Sequence, residues 1–205
     1  MKKMYSVALL SAFTFLSGCA GFQVAGEIQA GRYDLLIGKP DLALPHFQRA
    51  AEIDPNYIMK TGVFQEGVWT YVGRANYSAG KLQEARLALE RAVLHYDQDN
   101  LAKLYLGLVL ARDGDREKGL KEIETGMRGI YDWLEYITYN TSYGQFWDPG
   151  REIRIEIQRN LSMISGKGID WQKLIVGGEW VGKKVEEEID LAKNDEYRAR
   201  TRGGD

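Results

Sequence analysis

The residue types that could carry chemistry are few in this chain. The sequence contains two histidines, His46 and His95, and one cysteine, Cys19. Neither histidine has a Cys, His or carboxylate partner at the spacing of a metal-ligand set, and no serine lies in a nucleophile-elbow motif. Glu152 and Glu156 are four apart and so share a helical face, where a solvated carboxylate pair is the ordinary interpretation. These patterns predict no enzyme, no metal site and no cofactor.

The segment from Gly177 to Lys183 matches GxxxxGK, the pattern of phosphate-binding loops. The next residue is Lys184, where such a loop needs Ser or Thr to hold magnesium. Little chain follows, and no alternation of strands and helices surrounds the segment. The sequence therefore favours a glycine-containing helix here and predicts no nucleotide binding.

Length and composition limit the class of protein. The chain has 205 residues, of which 44% are hydrophobic, and a formal net charge of -2. This is enough to bury one sizeable core in one domain. The charge gives no electrostatic reason to expect a nucleic-acid partner. A single cysteine excludes an intrachain disulfide.

The N-terminus carries a targeting pattern. Two lysines precede an apolar run from Val7 to Leu16, which is too short to span a membrane. Leu16-Ser17-Gly18-Cys19 follows at once and resembles the lipobox of bacterial lipoproteins. The resemblance implies cleavage after Gly18 and lipidation of Cys19, with residues 1–18 as signal peptide and 19–23 as a lipidated linker.

The lipoprotein resemblance also implies a location. Ala20 follows the cysteine where an aspartate would retain an enteric-type lipoprotein in the inner membrane. We therefore expect a cell-envelope protein that contacts the membrane through its N-terminal lipid, in the outer membrane and facing the periplasm.

The clearest internal pattern runs from Gly67 to Asp99. Its spacing of aromatic, small and apolar residues resembles a tetratricopeptide repeat (TPR), a helix-turn-helix unit of about 34 residues. The residues that carry the resemblance are Trp69, Gly73, Gly80, Ala85, Leu89 and Ala92. Small residues on two successive segments permit close helix packing, and Gly80 between them suits the end of the first helix.

Two further copies flank this unit. Gln23 to Tyr57 has glycines and alanines at the same mutual spacings, and Gly107 follows Gly73 by 34 positions. From Gly31 to Gly73 the separation is 42, so extra residues must lie between Asn56 and Gln65. They are expected to lengthen the loop or to extend the next helix backward through Val63 and Phe64.

The last copy is predicted to overrun its repeat. An apolar stripe at alternating spacings of three and four indicates one continuous helix to about Tyr139. The stripe consists of Leu120, Ile123, Met127, Ile130, Leu134 and Ile137.

Two further helices are predicted downstream. One is expected to begin at Asp148-Pro149, and a second to be capped by Asp170. The acidic run Glu186 to Glu188 is interpreted as a solvated face, and Arg198 to Asp205 as a frayed tail. The predicted fold class is all-α: a short TPR-like α-solenoid of about three repeats over residues 24–139, capped by C-terminal helices over 140–205.

The TPR resemblance implies a concave surface lined by the first helix of each repeat. Carried over by position, the partner-binding residues are Arg32, Thr70, Arg74, Tyr77, Leu104, Leu108 and Arg112. Arg32 and Arg74 hold the same position in successive repeats and could meet a carboxylate or an extended peptide. The alternative is that both arginines are simply solvated.

An aromatic cluster follows the repeats. Its candidate binding patch consists of Trp133, Tyr136, Tyr143 and Trp147. Such side chains could grip a peptide or the face of a sugar. The alternative is that they cement the long helix to the C-terminal helices.

Together these features predict a lipid-anchored, periplasm-facing scaffold that binds protein or peptide partners, in cell-envelope assembly. One alternative is a pilotin-like or secretion-associated accessory lipoprotein of a single envelope machine. Another is a glycan- or peptidoglycan-binding protein or enzyme that uses the aromatic cluster.

Overall fold

Helices make up most of the chain that the computed structural model describes, residues 21–61 and 64–202. Three consecutive helix pairs come first, followed by a 3-10 turn and two further helices. The pairs are α1 (21–36) with α2 (Pro40–Ile53), α3 (Val68–Ser78) with α4 (Leu82–His95), and α5 (Asn100–Arg112) with α6 (Arg116–Asn140). The 3-10 turn is Gly144–Phe146, and α7 (Glu152–Ile164) and α8 (Trp171–Arg202) follow it. The predicted all-α fold is confirmed.

The three helix pairs are built alike. Each turn contains a glycine with positive φ, namely Gly38 at 75°, Gly80 at 75° and Gly114 at 97°. A left-handed residue of this kind ends the first helix and starts the return, and glycine adopts it without strain. Within each pair, a glycine of the first helix is in close contact with the second helix; Gly73, for example, packs on Leu89.

The extra residues between the first two pairs form a β-hairpin. Strands β1 (Ile58–Thr61) and β2 (Phe64–Gly67) pair antiparallel, with Ile58 opposite Gly67 and Thr61 opposite Phe64. The predicted backward extension of helix α3 is therefore wrong at Phe64, which is a buried strand residue; Val63 lies outside the described residues. The hairpin is held at its base because the Asp99 carboxylate accepts hydrogen bonds from Gly67 N (2.9 Å) and Thr70 Oγ1 (2.7 Å).

Helix α6 continues to Asn140, which confirms the prediction from the apolar stripe. The stripe residues from Ile123 to Ile137 are buried, while Leu120 is only partly so. This length lets α6 pack against both α5 and α7, so the repeat stack and the C-terminal helices share one core.

Helix α7 begins, and helix α8 ends, at a different place from that predicted, whereas α8 begins as predicted. Helix α7 starts at Glu152 rather than at Pro149. The Asp148 carboxylate still caps it, because it accepts hydrogen bonds from Ile153 N (3.1 Å) and Arg154 N (3.2 Å). Asp170 caps α8 as predicted, accepting from Lys173 N at 3.1 Å. The expected frayed tail is helical from Arg198 to Arg202.

Candidate functional site

The first helices of the three pairs, α1, α3 and α5, share a face, and helix α8 lies against it. Val181, Val185 and Ile189 of α8 are buried. Gly178 packs on Leu108, and Gly182 packs on the ring of Tyr105, so closely that a Cβ atom at either position would overlap its neighbour. Glycines at this spacing let two helix backbones approach. The groove of the repeat stack is therefore filled by the chain's own C-terminal helix.

One carboxylate of α8 joins two of the pairs. Glu186 Oε2 lies 2.8 Å from Arg32 Nε on α1, and Glu186 Oε1 lies 2.5 Å from Arg74 Nη1 on α3. The same Arg74 nitrogen is 2.7 Å from Glu66 Oε1 on β2. These four side chains are buried, whereas Asp190, 3.2 Å from Arg32 Nη1, is partly exposed. Arg32 thus meets the carboxylates of Glu186 and Asp190, and Arg74 Nη1 meets those of Glu186 and Glu66.

The pKa values of the two buried glutamates are shifted in opposite directions. Burial opposes ionisation of Glu186, but Arg74 and Arg32 outweigh it and lower its pKa to about 2. Burial and the neighbouring Glu186 charge raise the pKa of Glu66 well above its ordinary value, although Arg74 acts in the opposite direction. At neutral pH Glu186 is therefore ionised, whereas Glu66 holds its proton to a higher pH than an ordinary glutamate does.

The third pair holds α8 through another glutamate. Tyr77 Oη donates to Glu179 Oε1 at 2.5 Å, and Arg112 Nη2 pairs with the same oxygen. The Arg112 guanidinium also lies over the Tyr77 ring, 4.8 Å from its centroid. Burial and the Glu179 hydrogen bond raise the pKa of Tyr77, so the phenol stays a neutral donor. Every first helix in the stack thus contributes to an acidic contact with α8.

A cavity of about 320 Å³ remains between α8 and the three first helices, and it is partly open to solvent. This cavity, hereafter the arginine cavity, is lined by four cationic side chains: Arg32, Arg74, Arg112 and Lys183. Only two carboxylates, those of Glu179 and Glu186, line it with them. Tyr71, Tyr77 and Tyr105 form its aromatic wall. The arrangement favours an anionic group, since the lining carries more positive than negative charge.

Most of the residues predicted to line an open partner-binding groove are buried instead. Arg32, Thr70, Arg74, Tyr77, Leu104 and Leu108 are buried, so they do not form an open groove. The predicted carboxylate for the two arginines is supplied by α8 itself. Tyr77 and Arg112 line the arginine cavity together with Arg32 and Arg74.

The predicted site residues do not include four acidic residues of the site: Glu66, Glu179, Glu186 and Asp190. The interpretation of the acidic run from Glu186 to Glu188 as solvated is wrong for Glu186, which is buried. Its position four residues after Gly182 continues the packed face of α8, a periodicity that could have identified it. No local pattern marks Glu66, because it lies in the unpredicted hairpin.

The four aromatic candidates do not form one patch. Trp147 is buried, and its Nε1 donates to Glu196 Oε1 of α8 at 3.0 Å. Tyr143 lies under the Arg200 guanidinium at 5.1 Å, also on the α8 side. Trp133 packs edge-on against Trp147, while Tyr136 is largely exposed. Three of the four candidates therefore pack α6, the 3-10 turn and α8 together: Trp133, Tyr143 and Trp147. This agrees with the alternative that these side chains join the long helix to the C-terminal helices.

The remaining sequence motifs, the GxxxxGK segment and His46, have structural roles. The GxxxxGK segment lies inside α8, where the backbone N–H groups form the hydrogen bonds of the helix and so cannot bind a phosphate. His46 Nδ1 hydrogen-bonds Glu27 Oε2 at 2.6 Å and links α2 to α1. Within residues 21–61 and 64–202, no group of three or more His, Cys, Asp or Glu side chains could hold a metal ion. Gly18 and Cys19, the predicted cleavage and lipidation site, lie outside the described residues.

No helix in the described part of the chain combines the length and hydropathy needed to cross a bilayer. Comparison of the chain with protein-family models, with curated proteins and with solved structures finds no match.

Proposed function

We propose that this chain is a lipid-anchored, non-enzymatic scaffold of the bacterial cell envelope that binds an acidic group of a protein partner in the arginine cavity. The observation that carries the proposal is the lining of that cavity, which has four cations and two carboxylates; Glu187 and Asp190 pair with Lys183 and Arg32 from outside the lining. Arg112 and Lys183 stand at its open side with side chains 39% and 61% exposed. An incoming carboxylate can meet them without displacing the buried Arg32–Glu186–Arg74 contacts.

A partner has less surface to bind here than in an open repeat array, because α8 occupies the groove. Helix α8 fills it through buried apolar contacts and buried ion pairs. Displacing α8 would expose its buried apolar contacts and separate Arg32 and Arg74 from Glu186, leaving Arg74 with Glu66 alone, which is unfavourable. The partner is therefore expected to add to the α8-filled groove rather than to replace α8, presenting a carboxylate from a side chain or a chain end.

The partner proposal is tested by affinity capture from detergent-solubilised envelopes. A double variant, Arg112→Glu with Lys183→Glu, reverses the charge at the open side of the cavity. The expected result is at least about a tenfold loss of captured partner, the ratio that corresponds to 1.4 kcal/mol. Arg159→Glu is the matched control, since that side chain is 67% exposed on α7. Equal capture by the double variant would refute the cavity as the binding site.

The anchor and its location are tested separately. The lipobox-like segment around Cys19 predicts that labelled palmitate enters the chain through this residue. Cys19→Ala should abolish the label and release the protein from the membrane fraction. Label that persists in this variant would contradict the proposed anchor while leaving the cavity proposal intact.

The number of captured proteins distinguishes a general scaffold from an accessory lipoprotein of one envelope machine. A single stable partner favours the accessory role, and several partners with acidic segments favour the scaffold. Crosslinking from position 112 identifies which partners contact the cavity directly.

A further inference from the structure

The proposed lipid anchor limits which end of the molecule can meet the membrane. Helix α1 is already formed at Gly21, two positions after Cys19. Two residues span at most about 7 Å even when fully extended. A lipid on Cys19 would therefore hold the first turn of α1 at the headgroup region of the bilayer. This inference rests on the proposed anchor and does not depend on what the arginine cavity binds.

The last turns of α8 lie at the same end of the molecule as the first turn of α1. Near the end of α1, Leu36 lines the arginine cavity with Lys183. One turn earlier on α1, Arg32 pairs with Glu186, which comes later on α8. The two helices therefore run antiparallel. From Arg32 back to Phe22 is about 15 Å of helix at 1.5 Å per residue, and the same rise along α8 from Glu186 reaches its last two turns.

Two exposed aromatic side chains stand at this end. Phe22 is 88% exposed and Tyr197 is 68% exposed. A single exposed aromatic residue is common on protein surfaces, but these two lie at the end that the short tether would bring to the bilayer. Aromatic rings are favoured at the level of the lipid headgroups, where their apolar part leaves water. A lipid surface would therefore cover apolar area that the fold leaves exposed.

The same turns of α8 carry an excess of positive charge. The Arg198 and Arg200 side chains are each 64% exposed, and their acidic partners Asp195 and Glu196 lie 3.6 and 4.0 Å away. Basic side chains close to a membrane are attracted to anionic lipid headgroups. The charge therefore favours the same orientation as the tether and the aromatic side chains. Residues 193–202 include four cations and two anions: Lys193, Arg198, Arg200, Arg202, Asp195 and Glu196.

We propose that the anchor end, Phe22 together with residues 197–202 of α8, rests on the bilayer that holds the lipid. Phe22 and Tyr197 enter the headgroup region, and the arginines contact anionic headgroups. This orientation also serves the proposed function. Lys183, at the open side of the arginine cavity, lies about 20 Å before Tyr197 along α8 at 1.5 Å per residue. The cavity is therefore held clear of the lipid surface, where a protein partner can reach it.

The test measures how deeply single spin labels lie in lipid. The chain has one cysteine, Cys19, and its thiol is blocked in the lipidated protein, so an introduced cysteine can be labelled alone. Phe22→Cys and Tyr197→Cys place labels at the anchor end. Leu42→Cys is the control, because Leu42 is 55% exposed and lies in the first turn of α2, at the opposite end of α1.

The labelled, lipidated proteins are incorporated into vesicles of phosphatidylethanolamine and phosphatidylglycerol and separated by flotation. Collisions of each label with oxygen, which concentrates in lipid, and with a water-soluble nickel complex are measured by electron paramagnetic resonance. We expect the labels at positions 22 and 197 to collide with oxygen more often than the label at position 42. Their collisions with nickel should be several-fold less frequent.

A pair of charge-reversal variants tests the arginines. Arg198→Glu with Arg202→Glu reverses two exposed charges at the anchor end. Lys118→Glu with Lys121→Glu makes the same change in charge in the first turns of α6 and is the matched control. The first pair should raise the nickel accessibility of the label at position 197 several-fold, and the control pair should leave it unchanged. An equal response to both pairs would refute the contact between the arginines and anionic headgroups.

The outcomes separate this proposal from the anchor on which it rests. Equal nickel access at positions 22, 197 and 42 in protein that floats with the vesicles would overturn the proposal and leave the anchor intact. Protection of positions 22 and 197 from both oxygen and nickel would also overturn it, since that pattern indicates contact with protein, such as a second copy. Protein that does not float would refute the anchor, and this proposal with it.

Discussion

Replacing Glu186 by glutamine should destabilise the fold more than any other single charge removal on α8. Glu186 lies 2.8 Å from Arg32 Nε and 2.5 Å from Arg74 Nη1, and all three side chains are at most 4% exposed. Glutamine keeps the size and one acceptor oxygen but not the charge. Both guanidinium groups would then remain buried with weakened partners, although Arg74 would retain Glu66 Oε1.

Two estimates of the magnitude agree. Breaking a buried ion pair by removing one partner costs about 3–5 kcal/mol. Independently, the Glu186 pKa of about 2 against an ordinary value of 4.5 means that the folded state favours the ionised form; at about 1.4 kcal/mol per pKa unit this is about 3 kcal/mol. We therefore expect Glu186→Gln to lower the free energy of unfolding by about 3 kcal/mol, a large part of the 5–15 kcal/mol typical of a domain.

The assay is urea unfolding followed by far-UV circular dichroism, with Glu187→Gln as the matched control. Glu187 is the next residue on α8, and its ion pair with Lys184 (2.6 Å) is solvent-accessible. Exposed pairs contribute about 0–1 kcal/mol, so the control should unfold close to the wild type. A Glu186→Gln value within about 1 kcal/mol of the control would refute a stabilising role for the buried network.

The pH dependence gives a second check with a defined sign. The pKa of Glu186 is lower in the folded state than its ordinary value of 4.5, so its stabilisation is complete above that value. It is lost as pH falls from 4.5 towards 2, where Glu186 becomes protonated and resembles glutamine. The difference between wild type and Glu186→Gln should therefore shrink over that range. A difference that stays constant between pH 6 and pH 2 would contradict the assignment of charge to Glu186.

Two further predictions use the same unfolding assay. Glu66→Gln should become more stable relative to the wild type as pH rises above 4.5. Burial and then the Glu186 charge raise the pKa of Glu66 in the folded state, so the wild type loses stability as Glu66 ionises in the unfolded state. A stability of the variant that falls relative to the wild type as pH rises would refute this. Gly73→Ala should lower the free energy of unfolding by about 1–3 kcal/mol, because the added Cβ overlaps Leu89. Gly26→Ala has open space around it and should raise the free energy of unfolding by about 0.5–1 kcal/mol through helix propensity. Equal effects of the two substitutions would refute the close packing of Gly73 on Leu89.

Much of the helical architecture could be predicted because it depends on local patterns. The end of α6 near Asn140 follows from a stripe that repeats at threes and fours. The turn at Gly80 follows from a residue that adopts positive φ. Asp170 caps α8 because its carboxylate reaches the first free N–H groups of the same helix. In each case the deciding contacts lie within a few residues along the chain.

The β-hairpin shows where local patterns fail. The eight-residue excess between Gly31 and Gly73 showed that something was inserted, but not its form. The strands are short, at four residues each. Their position depends on Asp99, more than thirty residues downstream, whose carboxylate holds Gly67 and Thr70. A pairing anchored at that separation leaves no signal within the hairpin itself.

Local sequence patterns specify the helices, the repeat-like pairs and the equivalent positions of Arg32 and Arg74. The carboxylates that those arginines contact depend on packing between distant parts of the chain. Glu186 is 154 positions from Arg32 and 112 from Arg74, and in the sequence it is one of three consecutive glutamates. Whether such a glutamate is solvated or buried depends on which helix face packs against distant elements. Periodicity defines the faces of a helix, but the partner for each face is chosen only when the whole chain folds.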